Sequence, residues 1–357
     1  MHILSKMLSI TVLGVSLALG ISAVADAAPK NDFKVAWSIY VGWMPWGYAA
    51  DHGIVKKWAD KYGIKIEVTQ FNDYVESMNQ YTAGAFDAVT LTNMDGLSIP
   101  AAGGVDTTAV IVGDFSSGND AVILKNKTTL ADIKNQNVNL VEYSVSHYLL
   151  ARALESIKLT ERDVKVVNTS DADMVAAYKA TDVNAVVTWN PLVSTILEEP
   201  TARRVFDSSQ IPGEIIDLMV ANSGVLKENP NFGKALAGIW FETAALLTAS
   251  SDDGRAAREA MGSASGTDLK GFEAQLAATK LFSKPADAVE FITSKNLPKT
   301  MNLVRTFLFE KGLLGSGAAS PDVIGIEMPD GQILGDSSNV KLRFTETYMR
   351  AAADGSL

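Results

Sequence analysis

Two short segments far apart in this chain share one design: Phe86-Asp87-Ala88-Val89-Thr90-Leu91-Thr92-Asn93-Met94 and Val183-Asn184-Ala185-Val186-Val187-Thr188-Trp189-Asn190-Pro191. Each follows a segment of helical pattern and places an asparagine just past a short apolar run. A run of this kind reads as a buried strand. In an open, mostly parallel sheet, ligands collect outside the carboxyl ends of the strands. Two such ends in two halves of one chain can therefore face a single ligand from opposite sides, which points to a two-lobed clamp and makes Asn93, Trp189 and Asn190 candidate contacts. Similar strand ends also arise by chance in any α/β protein, so the rest of the chain has to decide.

From Phe33 onward short strand-like runs alternate with amphipathic helical runs, the signature of an α/β fold. Strands are expected at 34–41, 64–70, 86–91 and 107–112, with one helix from the turn at 42–46 to about Tyr62 and Pro45 in its first turn, where the missing N–H costs little. Asp114 to Asn119 reads as a crossover to a second set, with strands at 121–124, 138–142, 164–167 and 185–188. The chain is expected to return through Asp217 to Asn222. Two crossovers make a hinge, because a few linker residues absorb a closing rotation. Beyond Asn229-Pro230 the pattern is mostly helical, with Pro329-Asp330-Gly331 as a turn between two extended runs. The tail from Thr345 to Leu357 reads either as crossing to the other lobe or as loose. The expected division is a leader over 1–27, a first lobe over 28–116 plus 220–357, and a second lobe over 117–219.

The leader carries Lys6, an apolar stretch from Met7 to Val24, and two overlapping small-residue cleavage sites, Ala23-Val24-Ala25 and Ala25-Asp26-Ala27. This reads as a cleaved secretory signal, with an uncleaved anchor as the alternative. An exported, soluble protein is expected, and the periplasm suits one without a lipid tether. The chain has no cysteine, which excludes disulfides, thiolate catalysis and thiolate metal sites. A formal charge of −10 argues against nucleic acid and anionic lipid as partners. After the leader only His52 and His147 remain, without metal-ligand spacing, and no nucleophile elbow, phosphate loop or dinucleotide fingerprint occurs. Neither an enzyme nor a metal or cofactor is expected.

The segments Tyr81-Thr82-Ala83-Gly84-Ala85-Phe86-Asp87-Ala88 and Val183 to Pro191, with Trp43-Met44-Pro45-Trp46-Gly47, Asn93-Met94-Asp95 and Glu142-Tyr143-Ser144-Val145-Ser146-His147, resemble the substrate-binding proteins of nitrate, sulfonate and taurine ABC importers, the NMT1-like family. That group also includes the thiamine-pyrimidine synthases. More narrowly, the chain resembles the subgroup encoded beside urea carboxylase enzymes. The resemblance implies a type II periplasmic-binding-protein fold: two α/β lobes joined by a two-crossover hinge, with a helical C-terminal third. It implies a small-molecule ligand, guanidine or urea, and an ABC permease in the inner membrane as partners, with the binding protein a monomer. In the anion-binding relatives three turns supply donors, and these correspond here to Val41–Trp46, Thr92–Asp95 and Glu142–His147.

This sequence departs from the anion pattern by placing Asp95 and Glu142 in those turns. A half-buried carboxylate is costly unless it meets a cation or several donors. Guanidinium meets that demand with a planar fork of N–H groups and stacks on aromatic faces, and Tyr40, Trp43, Trp46 and Trp189 are expected nearby. Urea offers the same geometry without the charge. Each assignment has a plainer alternative: Asp95 as a helix cap, Ser144 or Ser146 as the cap of the helix to Ile157, His147 on a helix surface, Trp43 and Trp46 in the core. Trp58 and Trp240 sit in helical patterns and read as structural. The rival functions are the same fold with a sulfonate, nitrate or other small solute, an enzyme like the thiamine-pyrimidine synthases, and a sensor ectodomain.

Overall fold

The computed structural model describes residues 30–357, so the expected leader lies outside the described residues. Among these residues fourteen strands follow in chain order: β1 (Asp32–Ser38), β2 (Lys65–Phe71), β3 (Ala88–Thr92), β4 (Thr107–Ser116), β5 (Asp120–Lys125), β6 (Asn137–Leu140), β7 (Lys165–Asn168), β8 (Ala185–Trp189), β9 (Ala202–Asp207), β10 (Ile216–Asn222), β11 (Thr279–Leu281), β12 (Gly325–Glu327), β13 (Ile333–Leu334) and β14 (Val340–Phe344). They form two sheets. The first runs β13-β12-β14-β4-β10-β3-β1-β2, with β11 added beside β4; the second runs β7-β6-β8-β5-β9.

The strands at the centre of each sheet are apolar without alternation, since helices cover both faces. All five residues of β3 and of β8 are buried, as is β4 apart from Phe115. Strands β1, β2 and β3 pair in parallel, whereas β10 enters antiparallel between β3 and β4. The stretch expected as a return crossover is therefore a central strand of the first sheet. Likewise Asp114 to Ser116 extends β4, leaving only 117–119 between the sheets. Polar residues in these stretches disguised strands that are buried in the tertiary structure.

The helix expected to run to Tyr62 is two helices, Met44–Asp51 and Ile54–Tyr62, with Pro45 in the first turn of the former. Gly53 breaks them by adopting φ +76, a conformation open to glycine at little cost. Five longer helices follow the return strand: Pro230–Thr248, Asp252–Ala264, Leu269–Ala277, Pro285–Ile292 and Asn296–Glu310. The first is the buttress of the first sheet. Its Gly238 lets the Trp58 ring approach so closely that an added Cβ would stand 2.3 Å from it. The tail forms a helix, Thr347–Ala353, that stays on the first sheet: Tyr348 packs on Gly233, and Val112 N–H donates to Met349 Sδ at 3.4 Å.

Candidate functional site

A tight cleft, with a cavity volume of only about 10 Å³, lies where the carboxyl ends of strands from both sheets converge, lined by Tyr40, Trp43, Tyr74, Thr92, Asp120, Val145, Trp189, Ile215 and Asp217. The topology puts them there. Tyr40 and Trp43 lie in the turn after β1, Thr92 ends β3, and Trp189 ends β8 directly opposite Asp120 at the start of β5. Val145 opens the helix Val145–Ser156, which follows β6.

In the first sheet Asp114, Asp217 and Thr92 form one row across three neighbouring strands, β4, β10 and β3. Directly opposed residues in antiparallel strands share a face. The register slips immediately beyond this row, where Gly113 is the extra residue of β4; a bulge of this kind re-aims the flanking side chain. The Tyr40 hydroxyl donates to Asp114 Oδ1 at 3.0 Å. Gly42 passes so near that an added Cβ would meet Asp114 Oδ2 at 2.3 Å and the Tyr40 ring at 2.6 Å. Asp95 lies beside the cleft, where its Oδ2 accepts from the Tyr74 hydroxyl at 2.7 Å and the Thr92 hydroxyl at 2.8 Å.

Asp95, Asp114, Asp120 and Asp217 are all buried, and among the described residues no lysine, arginine or histidine stands against any of them. Burial disfavours the charged form. It pushes the Asp95 carboxyl up to about 6, against the pull of the Tyr74 and Thr92 hydroxyls and the Val145 amide. Burial likewise pushes Asp114 up to about 7 despite the neighbouring Asp217 carboxyl and the Tyr40 hydroxyl, and Asp120 up to about 7 despite Ser116. Asp217 is raised well above the usual carboxylate range, first by burial and then by repulsion from Asp114 and Asp120. Asp95 Oδ1, Asp114 Oδ2, Asp217 Oδ2 and the indole N–H of Trp43 have no hydrogen-bond partner among the described residues.

Aromatic rings close the walls. Trp43 meets Tyr40 edge-on at 5.1 Å and Tyr74 at 5.3 Å, and Tyr74 meets Trp189 edge-on at 5.6 Å. Tyr74 thereby joins the sheets: its hydroxyl serves Asp95, its ring touches Trp189, and its N–H donates to Asp171 Oδ2 at 3.4 Å. Among the described residues no three His, Asp or Glu side chains converge in an arrangement that holds a metal ion.

Of the residues singled out in the sequence, Tyr40, Trp43 and Trp189 line the cleft and Asp95 lies beside it. Thr92, rather than Asp95, caps the short helix Asn93–Gly96. Trp46 stacks on Trp240 in the core, ring centroids 6.1 Å apart. The two asparagines of the repeated pattern pin the crossovers: Asn93 donates to Glu214 C=O at 3.1 Å and accepts from Ile216 N–H at 3.1 Å, while Asn190 donates to Asn119 Oδ1 at 2.8 Å and accepts from the Ser194 N–H and hydroxyl.

Glu142 stands outside the cleft, with its N–H donating to Asn168 Oδ1 and its carboxylate against the Tyr143 hydroxyl. Ser144 caps the helix Val145–Ser156, and Ser146 is buried beside Val145 with an unpartnered hydroxyl. His147 is buried between the Tyr143 N–H, which donates to its Nδ1, and Glu161, 3.1 Å from its Nε2. The sequence alone did not single out Tyr74, Asp114, Asp120 or Asp217 as contacts. The last three were visible only as polar residues at the strand crossovers.

The fold has close counterparts. The alkanesulfonate-binding protein SsuA from Xanthomonas axonopodis pv. citri, solved bound to MOPS, superposes with a TM-score of 0.66 at 17% identity, covering 81% of this chain and 96% of that one. The periplasmic aliphatic sulphonate-binding protein SsuA from Escherichia coli gives 0.65 at 18% identity, covering 81% and 95%. The periplasmic nitrate-binding protein NrtA from Synechocystis PCC 6803 gives 0.58 at 11%, covering 92% and 99%. The fold is thus that of the periplasmic binding proteins. A candidate binding protein of Brucella abortus (strain 2308) is 25% identical over 246 residues, 67% of this chain and 74% of its own length. Residues 36–262, more than half of the sequence, match the NMT1-like family, and the chain belongs to that family.

Proposed function

We propose that this is a periplasmic solute-binding protein of an ABC importer that takes up a small nitrogen-rich cation, guanidinium, and delivers it to a permease in the inner membrane. The two lobes, expected as 28–116 plus 220–357 and 117–219 but with all of β10 (Ile216–Asn222) in the first sheet, close about the paired crossovers, and the protein acts by binding rather than catalysis. The sulfonate- and nitrate-binding proteins that share its fold support the class. The single observation that carries the ligand is a group of buried carboxyls, Asp120 and Asp217 lining the cleft with Asp114 opposite Asp217 and Asp95 beside them, with no basic side chain of the described residues against them.

An anion would enter that field at a high cost, whereas a cation removes the penalty of burying unpaired charge. Guanidinium presents N–H groups on every edge to carboxylate oxygens that lack partners, and its faces suit Trp43, Tyr74 and Trp189, where cation–π contact contributes roughly 0.5 to 2 kcal/mol. The cavity, about 10 Å³, is close to the space one water needs, so a solute of guanidinium's size enters as the two lobes move apart. The unpartnered indole N–H of Trp43 favours a second reading, urea, whose carbonyl would accept from it.

Thermal unfolding against guanidine, methylguanidine, urea, nitrate and taurine, with a matched sodium chloride control, separates these readings. A ligand at a hundredfold its dissociation constant stabilises by about 2.7 kcal/mol. Guanidine is expected to raise the midpoint most. A larger shift with nitrate or taurine rejects the cation, and a larger shift with urea selects the second reading.

A further inference from the structure

We infer that Asp114 and Asp217 share one proton in the empty cleft and that the cation binds by displacing it, so that ligand uptake is an exchange of one cation for one proton. This deepens, and rests on, the cation reading above. The two side chains stand directly opposite each other on neighbouring strands, in the same row as Thr92. Both are buried, 0% and 3% exposed, and opposed side chains on antiparallel strands stand about 4.5–5.5 Å apart at Cβ, so the two carboxyls repel one another unless a proton lies between them. Each keeps an Oδ2 without a partner, and Trp43, lining the same cleft and only 5% exposed, keeps its indole N–H unpartnered. The Tyr40 hydroxyl occupies Oδ1 of Asp114, so the shared proton falls to the Oδ2 atoms, which become free to accept from a ligand once it leaves.

The groups around the pair offer no alternative counter-charge. Tyr40, from the turn after β1, donates a neutral hydroxyl to Asp114. Tyr74 and Asp95, which meet at the end of β3, and Asp120, from the second sheet, add a neutral phenol and two more carboxyls. On β11, which also pairs with β4, Leu281 is opposite Asp114 and the exposed Lys280 is opposite Phe115, on the other face. Buried carboxyls that repel one another retain a proton well above the usual carboxylate range.

The charges balance in the exchange. A carboxylic acid hydrogen-bonded to a carboxylate carries one negative charge. Its O–H bond breaks, the proton passes to a water or buffer base, and the two resulting carboxylates carry two negative charges. The incoming cation supplies one positive charge and N–H donors to the freed oxygens, so the net charge of the site is unchanged. A neutral solute cannot drive this exchange, so the pair discriminates by charge rather than size.

The test is titration calorimetry of the mature protein with guanidinium chloride near pH 6, in buffers of different protonation enthalpy. The expected result is release of about one proton per cation bound, with affinity rising about tenfold per pH unit below the titration of the pair. Asp217→Asn, checked for folding by circular dichroism, is expected to abolish the release and flatten the pH dependence even where affinity is reduced. Normal guanidinium binding without proton release overturns the exchange and leaves the cation reading standing. Proton release undiminished in Asp217→Asn overturns the assignment to this pair. Failure of guanidinium to bind at any pH from 6 to 9 overturns both.

Discussion

Replacing Asp217 with asparagine keeps the size of the side chain and removes its charge, which separates its role in binding from its role in packing. At pH 8 the substitution is expected to weaken guanidinium binding by about 2 kcal/mol or more, the cost of removing one partner from a buried charged pair, while the unliganded protein becomes more stable because a buried repulsion with Asp114 and Asp120 is relieved. Calorimetry and a melting curve on the same sample read both effects. Gly42→Ala tests the neighbouring contact, since the new methyl would collide with Asp114 Oδ2 and the Tyr40 ring; affinity is expected to fall with little change in melting temperature if Asp114 turns aside. Glu142→Gln is expected to leave affinity within about threefold, well under the ~2 kcal/mol that a desolvated ion pair commands, because its carboxylate faces Tyr143 outside the cleft. A loss of tenfold or more in that variant would return Glu142 to the site.

Among the elements, β10 and the crossover that leads into it do the most to assemble the cleft, because one short strand end brings Ile215 and Asp217 between β3 and β4. Asn93 fixes its entry through Glu214 and Ile216, and Asn190 fixes the other crossover through Asn119. Asn93→Ala leaves a carbonyl and an N–H without their partner, which costs about 1–3 kcal/mol per buried group. The expected outcome is a lowered denaturant midpoint with an unchanged slope, together with weaker binding, since Asp217 is one residue beyond the released N–H. A variant as stable as the parent would show that water replaces the asparagine at no cost. Tyr74 acts between elements rather than within one, with its ring on Trp43 and Trp189 and its hydroxyl on Asp95.

For the whole molecule, the raised carboxyls make stability depend on pH. Asp95, Asp114 and Asp120 are lifted from the ordinary carboxylate value to about 6, 7 and 7, so between about pH 4 and 7 the folded protein holds more protons than the unfolded chain. Their contribution to stability is fully present below the unfolded value and is lost as pH rises through the folded values. The unliganded melting temperature is expected to fall from pH 5 to pH 8, while the increment added by guanidinium grows over the same range; melting temperatures that rise steadily to pH 8 would contradict the burial of these groups. Much of the architecture was legible in the sequence. An apolar run such as Ala185 to Trp189 forms a strand whose five residues are all buried, and the alternation of such runs with helices requires an α/β fold with helical support beyond Asn229. The site was less legible, because Asp114, Asp120 and Asp217 look like ordinary polar residues at crossovers, and only the pairing of β10 between β3 and β4 and the approach of β5 bring them together. Local periodicity, set by which side chains avoid water, determined the elements and their order from the sequence alone. Which carboxyls meet in one buried cleft was decided only by the tertiary structure, because burial and mutual repulsion depend on distances between residues far apart in the chain.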